Sequence, residues 1–279
     1  MMFWFFKRKK KNPAIAESSF SCVREGLTIR GTEFRPAGDG LPVAIVCHGF
    51  MATEGSVRQY AMALAELGYA TYTFDFCGGS AAFGKSEGKT TEMSVLTEVK
   101  DLEAVIAEVT ARPYVNASRL LLAGCSQGGF VSALTAAKHP DLAKRLVLIF
   151  PALCIPDDAR AGKMMFAEFD PVDLPDVIPC GPMKLGSCYP AAVMDMDPYQ
   201  EITGYQGRVL LIHGTADTLV RPEYSQRAYE AYAASCPGGM TAEERVRLHL
   251  IQDGGHGFNV AQDQECIAQI REFAASLDF

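Results

Sequence analysis

The chain has 279 residues, 48% of them apolar and 21% charged, enough to bury one large core, so a single domain carrying an insertion is expected. Net charge is −7, and because Lys7, Arg8, Lys9, Lys10 and Lys11 are all basic, residues 12–279 sum to −12, a balance that argues against a nucleic-acid partner. The nine cysteines are scattered, with no Cys-x-x-Cys pair and no Cys/His cluster at zinc spacing, which points to free thiols in a cytoplasmic, reducing setting and away from a disulfide framework or metal site.

Residues 1–19 read as a tail. Its apolar start precedes the basic run, the reverse of a secretory signal peptide, and no stretch approaches the roughly 20 apolar residues that span a bilayer. Phe3, Trp4, Phe5 and Phe6 beside five cations could make weak contact with an anionic membrane surface, although a frayed terminus is the plainer reading.

Residues 20–35 alternate apolar and polar about Glu25-Gly26, as a β-hairpin does. Residues 43–47 are continuously apolar, the mark of a strand buried on both faces of a parallel sheet. His48-Gly49-Phe50-Met51 follows. Residues 56–67 have helical spacing closed by Gly68, residues 69–74 form the next strand, and residues 75–88 a glycine-rich loop. Residues 95–109 are helical. Residues 120–123 read as a short buried strand that turns through Gly124-Cys125-Ser126-Gln127-Gly128 into a helix over 130–138, and 146–150 is another buried strand.

After Pro151 the alternation stops. Residues 151–205 are proline-rich and hold three cysteines and a loop-like stretch over 179–187, and a long irregular insertion past the C-terminal end of a strand is expected to be a lid. Regularity returns with a strand at 208–213, a helix at 222–234, a strand at 245–251 and a closing helix at 262–277. The organisation is therefore an α/β core over 20–150 and 206–279, a mostly parallel twisted sheet with helices on both faces, interrupted by a lid at 151–205.

The strand-turn-helix around Ser126 carries the chemistry. A turn this tight strains its central residue and needs glycine-sized neighbours, which Gly124 and Gly128 supply. Ser126 then stands at a helix N-terminus, where a developing negative charge is favoured, and is the expected nucleophile. A serine hydroxyl needs a base, and the base needs an anchored carboxylate. Of five histidines, His139 reads as a surface helix end, His213 as a structural strand-end residue and His249 as solvent-facing on its strand. His48 belongs to the loop after residues 43–47, and His256, in a glycine turn between strand and helix, is the base. Asp217, in Gly-Thr-Ala-Asp after a buried strand, is the acid, with Asp157 or Asp158 as the alternative.

Two backbone amides should hold the tetrahedral oxyanion, and one such donor is worth about 3–4 kcal/mol. Gln127 is the first. Phe50 is the second candidate and Met51 the runner-up, with His48 and Gly49 shaping their loop. This chemistry requires neither metal nor cofactor.

Together the elbow, the His-Gly-Phe loop, Gly-Thr-Ala-Asp217 and Gly-His256-Gly resemble an α/β-hydrolase-fold serine hydrolase over the chain from about residue 20. The combination of His48-Gly-Phe, Asp75-Phe, Gly84-Lys-Ser-Glu-Gly, Ser126-Gln-Gly-Gly and His213-Gly-Thr-Ala-Asp217 is similar to the bacterial cinnamoyl (feruloyl) esterase group. That resemblance implies a carboxylesterase acting on small esters, with a lid over the aromatic acyl group; acylglycerol lipases, lysophospholipases and acyl-aminoacyl peptidases share most of these residues. A homodimer is compatible with the sequence, and a catalytically silent hydrolase-fold binding protein is the non-enzyme alternative. Cys125 departs from the histidine usual in the group; its side chain is expected to point away from the site and affect packing alone.

Overall fold

The computed structural model describes residues 15–275. The aromatic-basic segment, and with it the membrane contact expected of it, lies outside them. Among the described residues no helix is long and apolar enough to cross a membrane.

Eight strands form one sheet: β1 (Ala16–Arg24), β2 (Leu27–Arg35), β3 (Leu41–Cys47), β4 (Ala70–Phe74), β5 (Val115–Cys125), β6 (Ala143–Ile149), β7 (Arg208–Gly214) and β8 (Val246–Ile251). Their order is β1-β2-β4-β3-β5-β6-β7-β8, with β1, β2 and β4 paired antiparallel and every pairing from β4 through β3 to β8 parallel. The expected hairpin is present, turning at Glu25-Gly26, but β1 begins four residues earlier than read. Residues 16–19, Ala-Glu-Ser-Ser, carry no large apolar side chain and are exposed at the sheet edge, so no apolar alternation marked them.

The continuous apolar runs are what a sheet covered on both faces requires. Val43, Ile45 and Cys47 join one core with Leu120 and Leu122, while Ala44 and Val46 face the other with Leu121, Ala123 and Cys125. The first core is closed by α2 (Val95–Thr110) and α3 (Gln127–Lys138), through Leu102, Val105, Phe130 and Leu134. The second is closed by α1 (Arg58–Ala65) and the C-terminal helix (Val260–Ala275), through Tyr60, Leu64, Cys266 and Ile270. A helix at Glu223–Ala234 adds Ala228 and Tyr232 to the first core. α2 opens on a capping box in which Ser94 and Thr97 each bond the other's backbone amide. α3 starts at Gln127, three residues before the reading from sequence, because Gly128 and Gly129 are helical here in spite of their low propensity.

Residues 151–205 are more regular than expected. They contain helices at Ile155–Arg160, Cys188–Ala191 and Pro198–Ile202, and two small antiparallel hairpins. The stretch read as a loop at 179–187 lies largely in one of these, Val177–Cys180 paired with Met183–Gly186. Ile178, Cys180, Met183 and Leu185 are buried on a period of two that Pro179 and Gly181-Pro182 disguised. Proline is tolerated there because a two-stranded ribbon leaves every second amide unpaired. The reading from sequence also missed one turn of helix before the last strand, Ala242–Arg245, opened by a Thr241/Glu244 capping box.

Candidate active site

β5 delivers Ser126 to the C-terminal edge of the sheet, where the chain reverses into α3. Ser126 has φ 52° and ψ −122°, a conformation that costs a non-glycine residue about 1–3 kcal/mol and persists only where the surroundings enforce it. They do so here: its amide donates to Ile149 O at 2.9 Å, and its carbonyl accepts from the amides of Gly129, Phe130 and Ala152 at 3.0, 3.1 and 2.9 Å. The flanking glycines are dictated by close approach. A Cβ on Gly124 would lie 2.2 Å from Gly128 O, and one on Gly128 would lie 2.2 Å from His48 O.

The loops after β7 and β8 bring the other two expected residues to this point. The Ser126 hydroxyl donates to His256 Nε2 at 3.0 Å, and His256 Nδ1–H donates to Asp217 Oδ2 at 2.8 Å. Asp217 is buried, and its Oδ1 accepts the amides of Leu219 and Val220, both at 3.0 Å. Burial works to raise the Asp217 carboxyl, but the hydrogen bonds from His213 and His256 outweigh it and hold the group well below the usual carboxylate range. The arrangement can therefore keep a charged acid beside an imidazole whose free nitrogen faces a hydroxyl. Phe150, whose ring centroid is 4.8 Å from that of His256, packs on the imidazole and on Phe258.

The remaining histidines sort as follows. His139 and His249 sit at the surface on Glu103 and Glu265. His48 is buried; its Nδ1–H donates to Gly49 O at 2.8 Å and its Nε2 accepts the Phe76 amide at 3.1 Å, so it fixes the loop that carries Phe50. Burial pushes its basicity down, against the bond to Gly49 O that favours the charged form. His213 is more than a strand-end residue: fully buried, it accepts from Ser225 Oγ, donates to Val220 O at 2.8 Å and lies 3.3 Å from Asp217 Oδ2. The sequence signal for this was the i, i+4 spacing of His213 and Asp217 across a turn. Asp157 pairs with Arg160 and Tyr224, and Asp158 lines a cavity; neither contacts His256.

Phe50 and Gln127 lie beside Ser126, and their amides meet no acceptor among the described residues. Met51 is turned into a bridge with Ser80 at φ 62°. The Gln127 side chain, which the sequence did not single out, is fully enclosed: its Nε2 donates to Glu98 Oε2 at 2.7 Å, and Tyr189 of the insertion donates a short bond to its Oε1. Burial pushes Glu98 well above the usual carboxylate range. The signal for Glu98 was a carboxylate on the apolar stripe of α2, between Val95 and Leu102.

Two cavities meet at Ser126. One, of about 200 Å³, lies under the insertion and is lined by Phe50, Gln127, Ala152, Cys154, Ile155, Asp158, Lys163, Met164, Tyr189 and Val220, among others. The second, of about 370 Å³, lies on the His256 side and is bordered by Gln59, Tyr60, Cys125, Phe150, Phe258 and Asp263. Cys125 packs in the core beneath α1, as expected, but it also borders this second cavity and so does not stand clear of the site. Among the described residues no group of three or more His, Cys, Asp or Glu side chains could hold a metal ion.

Sheet order, elbow and the loops at the ends of β5, β7 and β8 define an α/β hydrolase. Within that class the chain resembles the bacterial cinnamoyl esterase group. The Est1E protein of Butyrivibrio proteoclasticus, solved with ferulic acid bound, is 25% identical and superposes with a TM-score of 0.81 over 91% of this chain and 97% of its own. The family model for serine aminopeptidase, S33, matches residues 41–179. An uncharacterized protein, YfhR of Escherichia coli O157:H7, is 25% identical over 251 residues, 88% of this chain and 75% of its own. The Pyrococcus furiosus esterase Pf2001, 20% identical with a TM-score of 0.65 over 93% of this chain and 91% of its own, shares the fold.

Proposed function

We propose that this protein is a serine carboxylesterase that hydrolyses small esters of hydroxycinnamoyl type through an acyl-enzyme on Ser126. The observation that carries the reading is the hydrogen-bonded series Ser126–His256–Asp217 standing at the mouth of an apolar cavity. In the first half-reaction His256 Nε2 takes the Ser126 proton as Oγ bonds to the ester carbon, and then gives it to the departing alkoxide as the C–O bond breaks. In the second, His256 deprotonates water, which attacks the acyl carbon and releases the acid and Ser126. Asp217 orients the imidazole and balances its charge. The Phe50 and Gln127 amides receive the oxyanion, at the positive end of α3.

The acyl preference rests on the first cavity. Its walls of Ala152, Ile155, Met164 and Val220 suit a flat apolar group, and Asp158 and Lys163 supply polar atoms for ring hydroxyls. Burial, aided by neighbouring Asp157, raises the Asp158 carboxyl, which keeps it apt to share a proton with a phenol. Est1E, solved with ferulic acid, supports the same reading. Residues 151–205 act as the lid that forms one wall of this cavity.

Ser126→Ala tests the mechanism: hydrolysis of p-nitrophenyl butyrate and labelling by a fluorophosphonate probe should both vanish while the fold is retained. Undiminished turnover would overturn the assignment, and an unlabelled parent protein would favour a silent binding protein. One specific observation favours a second reading. The match to serine aminopeptidases of family S33, with Asp158 placed to meet an ammonium group, fits an acyl-aminoacyl or aminopeptidase activity. Rates on methyl ferulate, a monoacylglycerol and an amino-acid amide decide among the three; preference for either of the latter two refutes the cinnamoyl assignment.

A further inference from the structure

Asp75 and the stretch Gly84-Lys85-Ser86-Glu87-Gly88 stand out in the sequence, yet the proposed reaction uses none of them. Asp75, the first residue after β4, is 1% exposed. Its carboxylate spans two loops: Oδ1 accepts the backbone amide of Glu54 and Oδ2 that of Lys85, both at 2.7 Å. The side chains of those two residues close a ring, since Lys85 Nζ forms a short ion pair with Glu54 Oε1. Glu54 is itself buried, and the hydroxyls of Thr32 and Thr73 fix it to the sheet, each donating at 2.9 Å. An ionised carboxylate can take two amides on separate oxygens, so one side chain keeps both loops at a set spacing.

One of those loops carries Phe50. Between His48 and Glu54 it is tied at three points to the segment that starts at Asp75: the Phe76 amide donates to His48 Nε2 at 3.1 Å, the Ala81 amide to Met51 O at 3.2 Å, and the Glu54 amide to Asp75. Met51, next to Phe50, has φ 62°, a left-handed conformation that persists in such a residue only where neighbours enforce it. The loop also passes close to the nucleophile, for a Cβ on Gly49 would lie 3.1 Å from Ser126 Cβ. The ring borders a separate cavity of about 250 Å³ whose lining includes neither Ser126 nor His256, so it acts on the reaction only through the loop. On the esterase reading above, which makes the Phe50 amide an oxyanion donor, we propose that Asp75 is a positioning residue for the oxyanion hole, aiming that amide through its ring with Glu54 and Lys85. An amide that matters only once the carbonyl oxygen is charged affects kcat and leaves KM alone.

The test uses a covalent mimic of the tetrahedral intermediate. An alkyl trifluoromethyl ketone bonds its carbonyl carbon to Ser126 Oγ, the Ser126 proton passes to His256 Nε2, and the carbonyl π pair becomes the alkoxide that the amides hold; nothing leaves. Asp75→Asn sets an NH₂ against one of the two amides. Its kcat on p-nitrophenyl butyrate should fall about thirtyfold, a part of the roughly 10²–10³ that a whole donor is worth, with KM within about twofold and Ki for the ketone raised by the same factor as kcat falls. Glu54→Gln, which keeps its amide on Asp75 and loses the ion pair, should show the same pattern at about fivefold. Glu17→Gln, on the same cavity but paired with Arg58 at the surface, should match the parent in all three. Active sites are counted by complete fluorophosphonate labelling, so a variant that is merely less folded loses sites while its Ki stays parental. A parental Ki in Asp75→Asn, or in Glu54→Gln alone should Asp75→Asn not fold, would overturn the positioning role and leave the esterase reading standing. A parent protein that neither turns over the ester nor binds the ketone would overturn both.

Discussion

Replacing Asp217 by asparagine isolates the part of the site that the fold has invested in most heavily. The carboxylate is buried and takes three donors: the Leu219 and Val220 amides on Oδ1 and His256 Nδ1–H on Oδ2, with His213 Nε2 lying 3.3 Å from Oδ2 while its N–H is committed to Val220 O. Asparagine can keep only one oxygen. If that oxygen stays with the two amides, the new NH₂ confronts the Nδ1–H of His256. His256 then avoids the clash by moving its proton to Nε2, and in that tautomer it cannot accept from Ser126. We therefore expect kcat on p-nitrophenyl butyrate to fall about 10⁴-fold, or about 5 kcal/mol in the barrier. The loss of a charged acceptor at a buried site should also cost about 2–3 kcal/mol in stability, read from denaturant unfolding. Asp158→Asn, the control for the alternative acid, should alter KM for aromatic esters far more than kcat. A D217N enzyme with more than a tenth of the parental kcat, or a D158N enzyme with the 10⁴-fold loss, would refute the assignment of roles.

The same carboxylate gives a pH prediction. Because its folded-state value is depressed, its contribution to stability is fully present above the ordinary aspartate value of about 3.9 and is lost as pH falls through the lower folded value; the stability gap between parent and Asp217→Asn should therefore shrink on acidification below about pH 4, as followed by denaturant midpoints. Gly128→Ala would force a Cβ to within 2.2 Å of His48 O, so the variant should be destabilised by about 3 kcal/mol or more and lose fluorophosphonate labelling, whereas a thermal midpoint within a few degrees of the parent would contradict the packing described. Glu98→Ala strands the Gln127 carboxamide in the core, with an expected loss of about 1–3 kcal/mol in unfolding free energy and a fall in kcat on long and short acyl esters alike. Tyr189→Phe removes the other partner of that carboxamide, and an effect confined to aromatic acyl groups would show that it acts by substrate contact alone.

The core was legible in the sequence because a parallel sheet covered on both faces needs runs such as residues 43–47 and 120–123, and few other structures do. The elbow was legible because steric exclusion leaves only glycine at 124 and 128, so the pentapeptide records a geometry and not a preference. His256 and Asp217 followed because each lies just beyond a buried strand. What escaped was whatever depends on contacts between distant segments. Glu98, Gln127 and Tyr189 come from α2, the elbow and the insertion, and no local pattern joins them. The hairpin at Val177–Cys180 and Met183–Gly186 escaped for a different reason: prolines and glycines, ordinarily marks of loops, hide an alternation that packs against the core.

These two kinds of residue meet on the side of the site proposed above to hold the oxyanion. The Gln127 backbone belongs to the elbow, whose geometry is set locally, yet its side chain is gripped between α2 and the insertion. Phe50, from the loop after β3, also touches the insertion, with its ring centroid 5.6 Å from that of Tyr189. Both candidate oxyanion donors are thus carried by residues whose side chains lean on the same tyrosine. A change in the insertion that improves the fit of one acyl group must also move, or strain against, the residues that bear the donors. The cavity walls at Ala152, Ile155 and Met164 make no hydrogen bond through their side chains, so a change there is limited by core packing alone. Substrate range should therefore diverge through those apolar positions, while Glu98, Gln127 and Tyr189 change only together.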